Sequence, residues 1–243
     1  ITGTSPAVAA ASDNLVISEL HYHPADPDSA EIAAGHDDQD DFEFLELLNI
    51  GDQTINLAGV TFTDGIEYAF GSQAVLLDPG ERLVLVEDAA AFAYRNGSGI
   101  PVHAQWSGGL SNEGERIVVE STLTGVIIDF TYGDDAPWPV EADGSGPSLV
   151  MIDPHDGPDP TDTSNWRVSL VEGGKPGADD VQIYADLVQS IFTASEQADP
   201  LISGPAADAD GDTYANLIEF ALGSDLRDDQ STPGISIYVV EEG

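Results

Sequence analysis

Apolar residues in the first two thirds of the chain come in short runs of β-branched, aliphatic and aromatic side chains, separated by clusters of Gly, Pro, Asn and Asp. That rhythm is the one expected of a sandwich of short strands. It predicts strands over 14–22, 42–49, 59–63, 66–70, 82–87, 116–121, 126–132 and 148–152, with a hairpin connection at 121–125. In the second of these, Phe42 and Phe44 alternate with Glu43 and Glu46, which predicts one dry side and one wet side. Leu45, Leu47 and Leu48 blur that period.

Two segments break the rhythm before residue 177. Asp88 followed by Ala89, Ala90, Ala91, Phe92, Ala93 and Tyr94, and then Asn96-Gly97, predicts a capped helix that plugs an end of the sandwich. Residues 26–41 have no apolar period and carry His36-Asp37-Asp38-Gln39-Asp40-Asp41, so they read as a mobile acidic loop. After Pro176-Gly177 the period changes. Val181, Tyr184, Leu187, Val188, Ile191 and Phe192 recur at helical spacing, with Asp179 or Asp180 as cap and Pro200 as terminator. Ile235, Ile237 and Val239 alternate as a strand would.

The resulting organisation is a linker over 1–12, a sandwich over 13–177, a helical segment over 178–229, and over 230–243 the start of a further, truncated segment. The opening at Ile1, with no basic n-region, leads to the expectation of a piece cut from a longer exported protein.

Charge narrows the range of partners. There are 45 Asp plus Glu against 6 Lys plus Arg, a formal net charge of −39. Such a surface repels nucleic acid and anionic headgroups, and is best tolerated where salt screens it, which fits a saline or marine habitat. No apolar run reaches membrane-spanning length, so no membrane insertion is expected. With no cysteine there is no disulfide framework and no thiolate metal site.

Several motifs together resemble a known family. Ile17-Ser18-Glu19-Leu20-His21-Tyr22-His23-Pro24, Phe42-Glu43-Phe44-Leu45-Glu46-Leu47-Leu48-Asn49, Leu110-Ser111-Asn112-Glu113-Gly114-Glu115, Tyr132-Gly133-Asp134-Asp135-Ala136-Pro137-Trp138-Pro139, Gly146 to Pro154, Asn165-Trp166-Arg167 and Gly173-Gly174-Lys175-Pro176-Gly177 follow one another in order. They resemble the lamin-tail domain in the version found in large secreted bacterial proteins, over roughly 13–177. The resemblance implies an all-β, immunoglobulin-like β-sandwich. It also implies that any activity resides in other domains of the parent chain, where kinase-like spore-coat homologues, nucleases or phosphatases accompany such domains. The chromatin association of eukaryotic lamin tails conflicts with the charge of this chain.

Asp208, Asp210, Asp212, Tyr214, Asn216 and Glu219 form the second resemblance, to the calcium loop of EF-hand and dockerin modules. A hard cation takes six to eight oxygens: carboxylates at loop positions 1, 3 and 5, a backbone carbonyl at 7, a ligand or water at 9 and a bidentate Glu at 12. Thr213 departs from the pattern, because position 6 is normally Gly, and no helix enters the loop directly. Calcium is the cofactor this implies, in a small helical appendage behind the sandwich.

Other candidates are weaker. His21 and His23 stand two apart on a strand, a spacing that suits zinc or copper but also packing. Asp37, Asp38, Asp40 and Asp41, and the group Asp153, Asp156, Asp159 and Asp162, are each candidates for a low-affinity calcium site, although flexible carboxylate loops are usually only solvated. Trp138 and Trp166 are candidate sugar platforms that also fit as core residues. No G-x-S-x-G elbow, phosphate loop or H-E-x-x-H is present. The sequence therefore points to a non-catalytic structural, adhesion or targeting module, extracellular or at the cell surface, whose partner is an extracellular protein or a polysaccharide. A polysaccharide or cell-surface ligand-binding domain is the alternative, and a metal-dependent hydrolase the third reading.

Overall fold

The computed structural model describes residues 6–181 and 184–233. It divides into two compact units, with the division between Asp180 and Val181. In the first unit, the larger sheet is built from β2 (Leu15–His21), β3 (Phe44–Asn49), β7 (Arg82–Val86), β8 (Val102–Gln105), β11 (Pro147–Met151) and β12 (Trp166–Glu172). Their order is β12-β11-β2-β3-β7-β8. All neighbours are antiparallel except β7 and β8. A second sheet has the order β10-β9-β5, from β5 (Val60–Asp64), β9 (Arg116–Ser121) and β10 (Gly125–Thr131). Three two-residue strands, β1 (Val8–Ala9), β4 (Ile55–Asn56) and β6 (Leu76–Leu77), make a small third sheet.

One apolar core joins the two main sheets. Leu15, Ile17, Leu20, Leu45, Leu47 and Leu85 from the larger sheet pack in one cluster with Val60, Phe62, Ile117, Val119 and Phe130 from the smaller. Removal of these side chains from water is the main favourable term in the fold.

The centre of the larger sheet has no wet side. Every residue of β2 and of β3 is buried, which corrects the expectation of a half-solvated strand. On the outer face, helix α2 (Ala89–Asn96) lays Phe92 against Phe44, Val84 and Val86. Asp88 caps this helix by accepting from the Ala90 and Ala91 N–H groups, both at 2.8 Å. Its place is thus a face of the sheet and not an end of the sandwich. The rest of the outer face is roofed by residues 174–177, whose backbone N–H groups donate to carboxylates of the strands: Lys175 to Glu19 at 2.8 Å, Gly177 to Glu46 at 2.5 Å. Gly174 allows this close approach, since it sits at φ 81° and a Cβ there would collide with Glu19, Phe44 and Ser148.

The acidic insertion is ordered as well, contrary to expectation. Asp28 and Glu31 form a reciprocal capping box on α1 (Ser29–Ala34). Glu31 then takes a forked pair of bonds from Arg95 of α2, at 2.8 and 2.9 Å. Residues 66–70, expected as a strand, make only isolated bridges, Thr61 to Ala69 and Glu67 to Ser107. Asp179 and Asp180, expected as helix caps, are claimed by arginines of the sandwich: Arg82 donates to Asp179 at 2.6 Å and Arg167 to Asp180 at 3.2 Å.

The second unit contains α3 (Tyr184–Ile191), α4 (Ala194–Gln197) and α5 (Asn216–Leu222). Tyr184 of α3 meets Phe220 of α5 edge to face, with ring centroids 5.7 Å apart, and its hydroxyl donates to the Ser203 carbonyl at 2.9 Å. Phe192 and Leu226 of this unit are also buried, with the Arg227 guanidinium 4.3 Å above the Phe192 ring. The strand expected from Ile235 to Val239 lies outside the described residues.

Candidate metal centre

Residues 208–219 fold as a tight loop running into α5. Asp208 accepts from the Gly211 and Thr213 N–H groups at 2.8 and 3.0 Å, Asp210 from Asp212 at 3.1 Å, and Asp212 from Tyr214 at 2.7 Å. Each aspartate spends one oxygen or both on holding the turn, an ordinary use of Asp in a loop. Thr213 adopts φ 83°, so the residue that replaces the expected Gly nonetheless takes the left-handed conformation that this position demands.

The result concentrates carboxylate oxygens. Those of Asp208, Asp210 and Asp212 lie within 4.8 Å of one another. Asp210 Oδ2, Asp212 Oδ2 and Glu219 Oε2 are buried and have no hydrogen-bond partner. Glu219, in the first turn of α5, is 0% exposed. Burial first, and then the Asp210 and Asp212 charges, push its carboxyl up to about 7. Asp210 is raised for the same leading reason. The unit's own sequence offers little to relieve this: residues 181–243 hold one Arg, no Lys and no His. That one, Arg227, pairs with Glu196 at 2.8 Å and stacks on Phe192.

The six residues expected to share the site are not all free to do so. Asn216 is fully buried, its amide oxygen accepts from the Ala209 N–H at 3.1 Å, and its NH₂ donates to the Ile202 and Gly204 carbonyls at 2.8 and 3.1 Å. It pins the loop to the preceding segment, and the ligand role expected of it does not fit that geometry. Asp208, Asp210 and Asp212 converge, Glu219 faces their charges, and Tyr214 stands at the position whose carbonyl would complete the set. A hard cation such as calcium fits these oxygens.

The weaker candidates fall apart on geometry. His21 is 1% exposed, packs edge to face on Phe44 at 5.2 Å, and burial, reinforced by the Arg95 charge, lowers it to about 3. His23 is held by Asp143. The two rings therefore serve different neighbours. Trp166 is 3% exposed, stacks on Phe130 at 5.4 Å and donates to the Pro160 carbonyl at 2.9 Å. Trp138 packs beside it at 6.1 Å. The Trp166 ring is thus a core residue, while Trp138 is partly buried against it. Asp159 and Asp162 accept from Thr161 and Ser164 inside their own turns.

The sandwich itself carries the motifs quoted above at structurally exacting places: Glu19, His21, Glu43 and Glu46 in or beside two central strands, and Leu110 to Glu115 in the loop that donates to Glu43. The sequence model of the Lamin Tail Domain family matches residues 8–134, more than half of the chain. The chain belongs to the lamin tail domain family. The match ends before β11 and β12, which nonetheless complete the larger sheet of this lamin tail domain, and the acidic loop at 208–219 lies beyond it. No curated protein and no solved structure matches the chain.

Sequence reasoning missed the buried carboxylates of the sandwich. Glu19, Glu43 and Glu46 are 1%, 0% and 1% exposed. Burial drives all three carboxyls upward, Glu19 to about 8 and Glu43 to about 9. The available signal was their position inside nearly unbroken apolar stretches, where a solvated face would have shown more polar neighbours.

Proposed function

We propose that this lamin tail protein is a non-catalytic extracellular module of a larger secreted bacterial protein, serving as a structural, adhesion or targeting unit, with calcium ordering its C-terminal segment. The observation that carries the calcium part is Glu219: a fully buried carboxylate with an unpartnered oxygen, facing Asp208, Asp210 and Asp212, in a unit whose one arginine is engaged elsewhere. Four negative groups in that arrangement repel one another until a divalent cation turns repulsion into coordination. Because Glu219 lies in the first turn of α5 and Phe220 beside it packs on Tyr184, filling the loop would also fix α5 against α3.

The family fold is a scaffold whose function must come from a site, and the strong negative charge disfavours nucleic acid and anionic membranes as partners. Loops of this kind in extracellular modules bind calcium at about 10⁻⁴ to 10⁻³ M, so millimolar calcium would fill the site.

The test is limited proteolysis in calcium and in chelator, read together with calorimetry. Calcium is expected to protect 207–223, and Asp210→Ala or Glu219→Ala to abolish that protection while the sandwich still melts cooperatively. Equal cleavage in both conditions with no heat of binding would end the calcium reading.

A further inference from the structure

In five places the chain sets Asp or Asn directly before Gly: Asp64-Gly65, Asn96-Gly97, Asp143-Gly144, Asp156-Gly157 and Asp210-Gly211. Such a pair can react with itself, because the glycine nitrogen has no Cβ beside it to keep it from the preceding side-chain carbonyl. In four of the five the fold has already engaged that nitrogen. Gly65 N–H donates to the Asp64 carboxylate at 3.2 Å, Gly144 to the His23 carbonyl at 3.0 Å, Gly157 to the Pro154 carbonyl at 3.1 Å and Gly211 to the Asp208 carboxylate at 2.8 Å. Three of the acids are engaged as well: Asp64 pairs with Arg116 at 3.6 Å, Asp143 with His23, and Asp210 accepts from the Asp212 N–H at 3.1 Å.

Asn96-Gly97 differs. Gly97 follows the last residue of α2, at φ 84° and ψ 154°, and its N–H makes no capping bond back into the helix, whereas Gly35 after α1 and Gly223 after α5 each make two. Gly97 is exposed, and a Cβ on it would meet nothing within 4 Å. The Asn96 side chain is partly exposed and, among the described residues, makes no hydrogen bond. Ring closure requires Asn96 to leave its helical backbone angles, and an uncapped helix end is where unwinding costs least. Of the five, this residue alone is an amide, which releases ammonia far more readily than an ionised carboxylate releases an oxygen. We infer that Asn96-Gly97 is a site of self-modification. The Gly97 nitrogen gives its proton to water or hydroxide and attacks the Asn96 side-chain carbonyl carbon; the new C–N bond closes a succinimide ring and ammonia leaves. Water then opens the ring at either carbonyl, which yields aspartate, or isoaspartate with the main chain routed through the side-chain carbon. Nothing is oxidised or reduced. The cavity that Asn96 lines already holds Asp26, Asp28, Glu31 and Glu172, and its basic group, Arg95, is claimed by Glu31 at 2.8 and 2.9 Å. A further carboxylate there, at the negative end of the α2 dipole, is repelled on both counts and loosens the helix that lays Phe92 on the sheet.

The experiment ages the whole chain in warm, mildly alkaline buffer and maps it by peptide mass spectrometry, reading the mass gain of NH₂ replaced by OH, with isoaspartate marked by its methyltransferase. A synthetic peptide spanning 93–100 sets the rate in the absence of the fold. Asn96 is expected to convert within severalfold of the peptide's rate and to give both products, while the other four pairs stay unmodified. Gly97→Ala is expected to slow conversion severalfold or more, since a Cβ crowds the attacking nitrogen. Asn96→Gln is expected to remove it, because the longer side chain closes a larger ring less readily. Asn96→Asp, the product made directly, is expected to lower the melting midpoint of the first unit, more at low salt than at high, and Asn96→Gln to leave the midpoint in place. Conversion of Asn96 at a small fraction of the peptide's rate, or modification spread evenly over the five pairs, would overturn the site. A midpoint unmoved by Asn96→Asp would overturn its effect on α2.

Discussion

Glu46 and Glu219 are both fully buried glutamates, and they are accommodated in opposite ways. Glu46 receives the Arg82 guanidinium at 2.9 Å, the Ser18 hydroxyl at 2.7 Å and the Gly177 N–H at 2.5 Å. Among the described residues Glu219 receives only the Ser224 hydroxyl at 3.5 Å, keeps one oxygen without a partner, and faces three aspartates. Glu46 is satisfied from within the chain, whereas among the described residues nothing satisfies the second oxygen of Glu219. Burial alone therefore does not make Glu219 a candidate ligand; an unpartnered oxygen beside three converging aspartates does.

The sharpest way to break the sandwich side of that contrast is to lift its roof. Gly174→Ala is expected to destabilise the first unit by about 3 kcal/mol or more, combining a left-handed backbone position with a collision against Glu19, Phe44 and Ser148. Urea denaturation measures it. A loss under about 1 kcal/mol would mean that residues 174–177 are a loose flap and that Glu19 and Glu46 do not depend on them.

Removing the cation from Glu46 tests the same point more gently. Arg82→Ala leaves a carboxylate with 2% side-chain exposure bonded only to Ser18 and Gly177. Uncompensated buried charges cost about 3–5 kcal/mol. Here the cost is expected nearer 2 kcal/mol, because burial already raises the Glu46 carboxyl and lets it take up a proton. The deficit should shrink as pH falls. A deficit independent of pH would show that Arg82 acts by packing its stem and not by its charge.

How much of this was legible in the sequence depends on how far apart the cooperating residues stand. Asp88 with its alanine run announced α2, because cap, body and stop lie within ten residues of one another. The spacing of Asp208, Asp210 and Asp212 announced a tight acidic loop for the same reason. The double burial of β3 was not legible, since its cover comes from Phe92 and from residues 174–177, far along the chain. The short parallel strand β8 and the edge strand β12 were missed, being defined by pairing with β7 and β11 more than by their own patterns. Asn216 fell in register as a ligand, but only the fold reveals that its amide is committed to Ala209, Ile202 and Gly204.

Acidity separates the two regions by sign. In chelator, Glu19 and Glu43 have carboxyls raised to about 8 and about 9, so their contribution to stability is complete below their unfolded value near 4.5 and is lost as pH rises through those folded values. Glu219, raised to about 7, does the same for the second unit over a lower window, from about 4.5 to about 7. With calcium present, protons compete for Glu219, and the second unit should instead gain protection from proteolysis as pH rises through that window. Melts and proteolysis at pH 5, 7 and 9, with and without calcium, read both trends. A C-terminal unit whose protection follows the same pH course in calcium and chelator would dissolve the distinction between the two glutamates.

The smallest expected effect supplies the control. Arg116 bonds Asp129 through two of its nitrogens, at 2.8 and 2.7 Å, a geometry as good as any made by Arg82, but both side chains lie in solvent at 52% and 41% exposure. Water solvates either partner when the other is removed, and salt screens what attraction remains. Arg116→Ala is therefore expected to leave the unfolding midpoint unchanged within error at physiological salt. A shift comparable to that of Arg82→Ala would mean that a scarce positive charge stabilises this acidic chain wherever it lies, through the field of the whole surface. In that case the cost of Arg82→Ala could no longer be assigned to the burial of Glu46, and the difference between the two glutamates would rest on Glu219 alone.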